Sequence, residues 1–133
     1  MNILSMTKPS TKKLVLILGT LLFVFIALKA QAATSSVTLN NEFGKDGNTI
    51  NIHSGNAYIT GSNYNSTYHM WAQVKKSIAI WPDPVSWSRY LSPKTSWSGS
   101  VNFDASSYYV RAEGFNINNS GIALISGKLS ATD

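Results

Sequence analysis

From Thr34 onward, apolar and polar residues alternate one by one, in short runs broken by Gly, Asn, Ser and Pro. A period of two is the signature of strands that bury one face. In "SVTLNNEF" it puts Val37, Leu39 and Phe43 together. In "NTINIHS" it sets Ile50 and Ile52 against Asn51 and His53, and "AYIT" resumes after the turn "SGN". "GSNYNST" reads as a polar loop. "YHMWAQVK" then sets Tyr68, Met70, Ala72 and Val74 against His69, Trp71, Gln73 and Lys75. "SIAIW" reads as a short apolar strand stopped by Pro82, since proline cannot donate to a ladder. "WSGSVNF" aligns Trp97, Val101 and Phe103 inward, and "YYVRAEGF" sets Tyr108, Val110 and Ala112 against Tyr109, Arg111 and Glu113. After the turn "NINNSG", "GIALIS" is the last strand. In the turn "GKDGN", Gly44 and Gly47 are able to take positive φ.

Seven to eight short strands at regular spacing predict an all-β fold, an antiparallel β-sandwich or small barrel. Abundant Ser and Asn agree with this, because their side chains compete with helical backbone hydrogen bonds. No internal repeat or linker interrupts residues 33–133, so the pattern predicts a single β-sandwich domain there.

The first thirty-two residues follow a different rule. Lys8, Lys12 and Lys13 precede the apolar run Leu14 to Leu28, and Ala30-Gln31-Ala32 follows it. A basic start, a short apolar core and an A-x-A site read as a secretory signal peptide over residues 1–32, cleaved near Ala33. The run is shorter than the roughly 20 residues of a spanning helix, so no stable membrane span is expected after cleavage and the product is expected to be secreted.

Cleavage changes the charge. The net +5 of the whole chain includes Lys8, Lys12, Lys13 and Lys29. Without them seven cations face six acids, a net of +1, and nucleic-acid binding loses the cations it depends on. The absence of cysteine excludes a disulfide framework. The core must therefore be held by burial, with aromatic rings as its largest fillers. Absent cysteines and a long lysine-bearing leader suggest a Gram-positive producer.

Little in the sequence points to catalysis. His53 and His69 stand alone on different strands, without the clustered ligands a metal needs. There is no G-x-S-x-G elbow for a serine nucleophile. Asp83 and Asp104 flank a Trp-rich segment and form the one carboxylate pair that merits attention for glycoside hydrolysis, but both sit where turn residues bond their own backbone. Asp46, in "GKDGNT", lacks the ligand series of a calcium loop. No cofactor or metal is expected.

The richest stretch is "IWPDPVSWSRYLSPKTSWSGS", Ile80 to Ser100. Trp97 falls on an inward face by periodicity and reads as core. Trp81 ends an apolar strand. Trp87 and Tyr90 sit among Ser and Pro and read as exposed rings of a stiff loop, "PDPVSWSRYLSPK". Flat rings hold sugar faces, and Arg89 and Lys94 would orient such a ligand. Trp87, Tyr90, Arg89, Lys94 and Trp81 are therefore the candidate ligand-binding residues.

The segment "GSNYNSTYH", with Ser62 to Tyr64 followed by His69, resembles the lactococcin 972-like bacteriocins, as does "ASSYYV" with the pair Tyr108–Tyr109. The chain departs from that family in lacking its aromatic–glycine opening and in running on from Tyr109 to Asp133. The resemblance implies an exported, cysteine-free β-sandwich that acts on the cell-wall synthesis of related bacteria by engaging the lipid-linked wall precursor.

The sequence thus predicts a secreted, non-enzymatic β protein that binds a component of a bacterial envelope or matrix, with bacteriocin-like growth inhibition as its named form. Two alternatives stand beside it. One is a carbohydrate-binding or adhesive module using the exposed aromatic loop; the other is a small secreted hydrolase.

Overall fold

The computed structural model describes residues 32–53 and 55–133. The expected signal peptide lies outside the described residues, Ala32 excepted. Residues 32–133 form a compact unit, and it is all-β. Among the described residues ten strands follow one another: β1 (Thr34–Glu42), β2 (Gly44–Asp46), β3 (Ile50–Ile52), β4 (Asn56–Asn63), β5 (His69–Lys76), β6 (Val85–Leu91), β7 (Ser96–Asn102), β8 (Ser106–Asn116), β9 (Gly121–Ile122) and β10 (Ile125–Thr132). Among the described residues no helix is long and apolar enough to cross a membrane.

The strands make two antiparallel sheets. One has four strands in the order β1-β10-β4-β7. In the other, β8 pairs with β5, which pairs with β6, while β2, β3 and β9 share the far side of β8. Ten segments stand where seven to eight were expected, because β2, β3 and β9 have only three, three and two residues. At the gap between β2 and β3, β8 still finds partners. Gly47 donates its N–H to the Val110 carbonyl, and the Val110 N–H donates to Ser35 Oγ in the opposing sheet. Buried backbone groups must be paired somewhere, and here a side chain of the facing sheet completes the ladder.

The inner faces are the ones the alternation marks. Val37, Leu39, Ile59, Ile125 and Leu129 from the four-stranded sheet meet Ile52, Met70, Val74, Leu91 and Val110 from the other, all buried. Phe103 and Tyr108 are also buried, their rings 5.2 Å apart, and the Tyr108 hydroxyl donates to the Asp104 carbonyl.

Three departures from the expected pattern have local causes. Phe43 was placed inward with Val37 and Leu39 but is 52% exposed. The β1–β10 register shifts between Leu39 and Glu42, and Asn41 takes a φ of 56°. That bulge breaks the period of two as the chain leaves one sheet and enters the other at β2. Secondly, no strand forms over "SIAIW": residues 77–84 are irregular, with Ile78, Ile80 and Trp81 exposed. Thirdly, the strand expected at "GIALIS" divides, and the longer β10 runs on to Thr132 at the centre of its sheet. Gly44 and Gly47 do not take the positive φ allowed for them; among described glycines that conformation belongs to Gly55.

Candidate functional site

The "polar loop" after β4 begins only at Tyr64, because Asn63 is the last residue of the strand and is buried. Its amide nitrogen donates to the carbonyls of Tyr68, Leu91 and Ser92, and its amide oxygen accepts from the Asn65 N–H. This side chain ties the start of β5 to the end of β6, and so fixes how those two strands meet. Their register follows: Met70 faces Leu91, Trp71 faces Tyr90 and Gln73 faces Ser88.

On the other side of β5, Trp71 faces Glu113, Gln73 faces Arg111 and His69 faces Phe115. Residues directly opposite share a face, so the outward surface of this sheet is ordered in rows. One row reads Gly44, Glu113, Trp71, Tyr90; the next reads Asp46, Arg111, Gln73, Ser88. At the end of the sheet stand Ile122, Phe115 and His69.

The rings of these rows touch. Tyr90 stacks on Trp71 with centroids 5.5 Å apart and planes 16° from parallel. It also meets Phe115 at 5.4 Å, tilted by 47°. Tyr90 is 51% exposed, while Trp71 and Phe115 are half-buried. The result is an aromatic platform that Trp71 supports from within the sheet and Tyr90 presents to solvent. Trp71 Nε1 and His69 Nδ1 are buried with no hydrogen-bond partner, an arrangement that costs about 1–3 kcal/mol for each group.

Beside the platform runs a charged network. Arg111 donates from Nε to Glu113 at 2.6 Å and from Nη1 to Asp46 at 2.8 Å, and Gln73 donates to Glu113 at 3.4 Å. Burial acts to lower the Arg111 pKa, but the hydrogen bonds and charges of Asp46 and Glu113 outweigh it and the guanidinium pKa is raised. Gln73 is buried and holds Glu113 in place, while the Arg111 and Glu113 side chains are partly exposed; with the flat rings beside them they form a surface that can take the C–H face of a sugar ring and hydrogen-bond its hydroxyls.

The five candidate residues of the sequence reading do not form one site. The segment read as a loop is the edge strand β6, so Trp87, Arg89 and Tyr90 alternate across two faces. Trp87 was expected to be exposed; it is half-buried against the core and stacks on Trp97 of β7 at 5.2 Å. Arg89 lies 5.0 Å over the Trp97 ring. These three residues join the edge strands of the two sheets. Tyr90 points the opposite way, onto the platform. Lys94 is exposed in the following turn with a φ of 58°, and its N–H donates to the Asn65 carbonyl. Trp81 is 85% exposed in the 77–84 loop.

Trp71, Phe115, Gln73, Arg111 and Glu113 were not singled out in the sequence. The alternation did put Trp71 with Gln73, and Arg111 with Glu113, on outward faces. What it lacked was the pairing of β5 with β8 that sets those faces side by side.

The Asp83 carboxylate accepts from the Ile78 N–H and the Tyr109 hydroxyl, each at 3.0 Å. Burial first, then Asp83, pushes the Tyr109 pKa up to about 12. His53 bonds the Asp133 carboxylate through Nδ1 at 3.0 Å. Among the described residues no group of three His, Asp or Glu side chains could hold a metal ion. Of the residues that carry the bacteriocin resemblance, Asn63, Tyr108 and Tyr109 make structural hydrogen bonds and His69 lies at the platform.

No protein-family model matches the chain, and no curated protein matches it. Among solved structures it is similar to a chain of the "Structure of infectious bursal disease virus Gt strain", with 11% identity and a TM-score of 0.32. The likeness covers 77% of this chain and 30% of that one, so the chain spans less than a third of that chain's length.

Proposed function

We propose that the protein is a secreted, non-enzymatic binding protein directed at a glycan of a bacterial envelope or matrix, with Tyr90 and Trp71 as its binding platform. The observation that carries this reading is the half-exposed Tyr90 ring stacked on Trp71, with Glu113 in the same row and its partners Arg111 and Gln73 in the next. Sugar rings offer one apolar face and a rim of hydroxyls. The platform and the network supply the two complementary surfaces side by side, and Trp71 holds Tyr90 in place before a ligand arrives, which lowers the ordering cost of binding.

A pull-down with purified bacterial cell walls tests it. The chain from Ala33 should be retained, and the Tyr90→Ala variant should be released into the supernatant. Equal retention of both proteins would remove the platform from the account. The resemblance to lactococcin 972-like bacteriocins, which includes His69 at the platform's edge, supports growth inhibition of related Gram-positive bacteria as the outcome of that binding. In that case the retained protein also arrests such a strain, and Tyr90→Ala does not.

A further inference from the structure

The loop over residues 77–84, between β5 and β6, is apolar, exposed and fastened. Ile80 is 81% exposed and Trp81 85%, and Ile78 and Val85 beside them are also exposed. Soluble surfaces bear scattered apolar residues, but a contiguous group marks an interaction site. A loop that was merely disordered could not hold such a group outward, and this one is tied at its base. Lys76 donates its N–H to the Pro84 carbonyl, Ser77 to the Ser107 carbonyl and Ile78 to the Asp83 carboxylate, which also receives the Tyr109 hydroxyl. Pro82 and Pro84 stiffen the tip.

Charge decides among the occupants. Lys75 and Lys76 end β5 at the base of the loop, and successive strand residues leave on opposite faces, so one cation stands on either face of that base, Lys76 in a recess it shares with Asp104. The loop's one acid, Asp83, bonds the Ile78 N–H and the Tyr109 hydroxyl at the loop's base and is outnumbered by the two lysines. An apolar tip that includes tryptophan, with lysines behind it, matches a bilayer with an anionic surface: the tip enters the boundary between headgroups and chains while the lysines meet the headgroups.

We infer that residues 78–81 form a membrane-docking tip that inserts Ile80 and Trp81 into the interface of an anionic lipid bilayer. The tip lies at the Lys76 end of β5, and the Tyr90 platform lies toward the His69 end, so this inference does not rest on the glycan reading.

The test uses the chain from Ala33 to Asp133, which contains both sheets and the whole core, with vesicles of phosphatidylcholine alone or mixed with phosphatidylglycerol. The wild type should co-sediment with the anionic vesicles, with a blue shift in tryptophan emission. The variant Ile80→Ser/Trp81→Ser should bind them at least about tenfold more weakly while keeping its melting temperature. Lys75→Gln/Lys76→Gln should weaken binding to the anionic vesicles, and added salt should do the same. No binding by the wild type overturns the inference, as does equal binding by Ile80→Ser/Trp81→Ser. A concentration-dependent dimer abolished by that variant, without vesicle binding, also overturns it and assigns the tip to a second copy of the chain. The vesicles carry no glycan, so failure here leaves the platform reading standing.

Discussion

At the scale of single residues, the fold depends on a few polar side chains whose partners lie far away in sequence. Tyr109 shows how this reaches into solution behaviour. Its phenol would titrate near 10.0 when free, but burial and the hydrogen bond to Asp83 push it up to about 12. The folded protein therefore keeps this proton over a range where the unfolded chain has lost it. By linkage, its contribution to stability is fully present below pH 10 and is lost as pH climbs toward 12. Urea denaturation at several alkaline pH values should show this decline in the wild type and a smaller one in Tyr109→Phe. Asp83→Asn should reduce the decline without removing it, since burial is the larger cause. Identical alkaline limbs for wild type and Tyr109→Phe would contradict the assignment.

None of these partners was legible in the sequence. Asn63 sits in a string of polar residues that reads as loop, and only its burial reveals that it holds four backbone groups. The same holds for Asp83: as a turn residue bonding local backbone it was read correctly, but its bond to Tyr109 spans 26 positions. Residue type and local pattern carry no record of such distances.

At the scale of elements, the alternation was informative wherever a strand buries one face and solvates the other. It failed where that condition lapses. Phe43 follows a bulge that shifts the period. "SIAIW" is apolar yet exposed in the 77–84 loop, and hydrophobicity alone made it look like a strand. β6 was missed because it is an edge strand with few buried side chains, and Ser and Pro neighbours gave it the look of a loop. Its Trp87 then becomes intelligible as a partner for Trp97, closing the side of the sandwich where β6 and β7 are both edges. Trp97→Ala and Trp87→Ala should each destabilise the protein by about 2–3 kcal/mol, below the range for fully buried aromatics. The double variant should lose less than the sum of the two, since the pair acts as a unit. Strict additivity in thermal denaturation would show that the two rings do not support one another.

At the scale of the whole molecule, the separation of roles was the least legible feature. The sequence gathers Trp81, Trp87, Tyr90 and Trp97 within one short stretch, which invites a single site. Folding distributes them: Trp87 and Trp97 close the sandwich, Tyr90 joins Trp71 and Phe115 on an outer face, and Trp81 stands with Ile80 at a loop tip. Pairing of β5 with β8 and β6 makes the candidate site, and pairing is the information a lone periodic pattern lacks. With a net charge of +1 over residues 33–133, the recognition proposed for the platform would have little long-range attraction to draw on. It must come from contact between rings and fixed hydrogen-bonding groups.

The direct measurement is a tryptophan-fluorescence titration of the wild type and Tyr90→Ala with soluble bacterial wall polysaccharide. A saturable change is expected in the wild type and at least a tenfold loss of affinity in Tyr90→Ala, about 1.4 kcal/mol, with the variant still folded at the temperature of the titration. Equal affinity in the two proteins would contradict it.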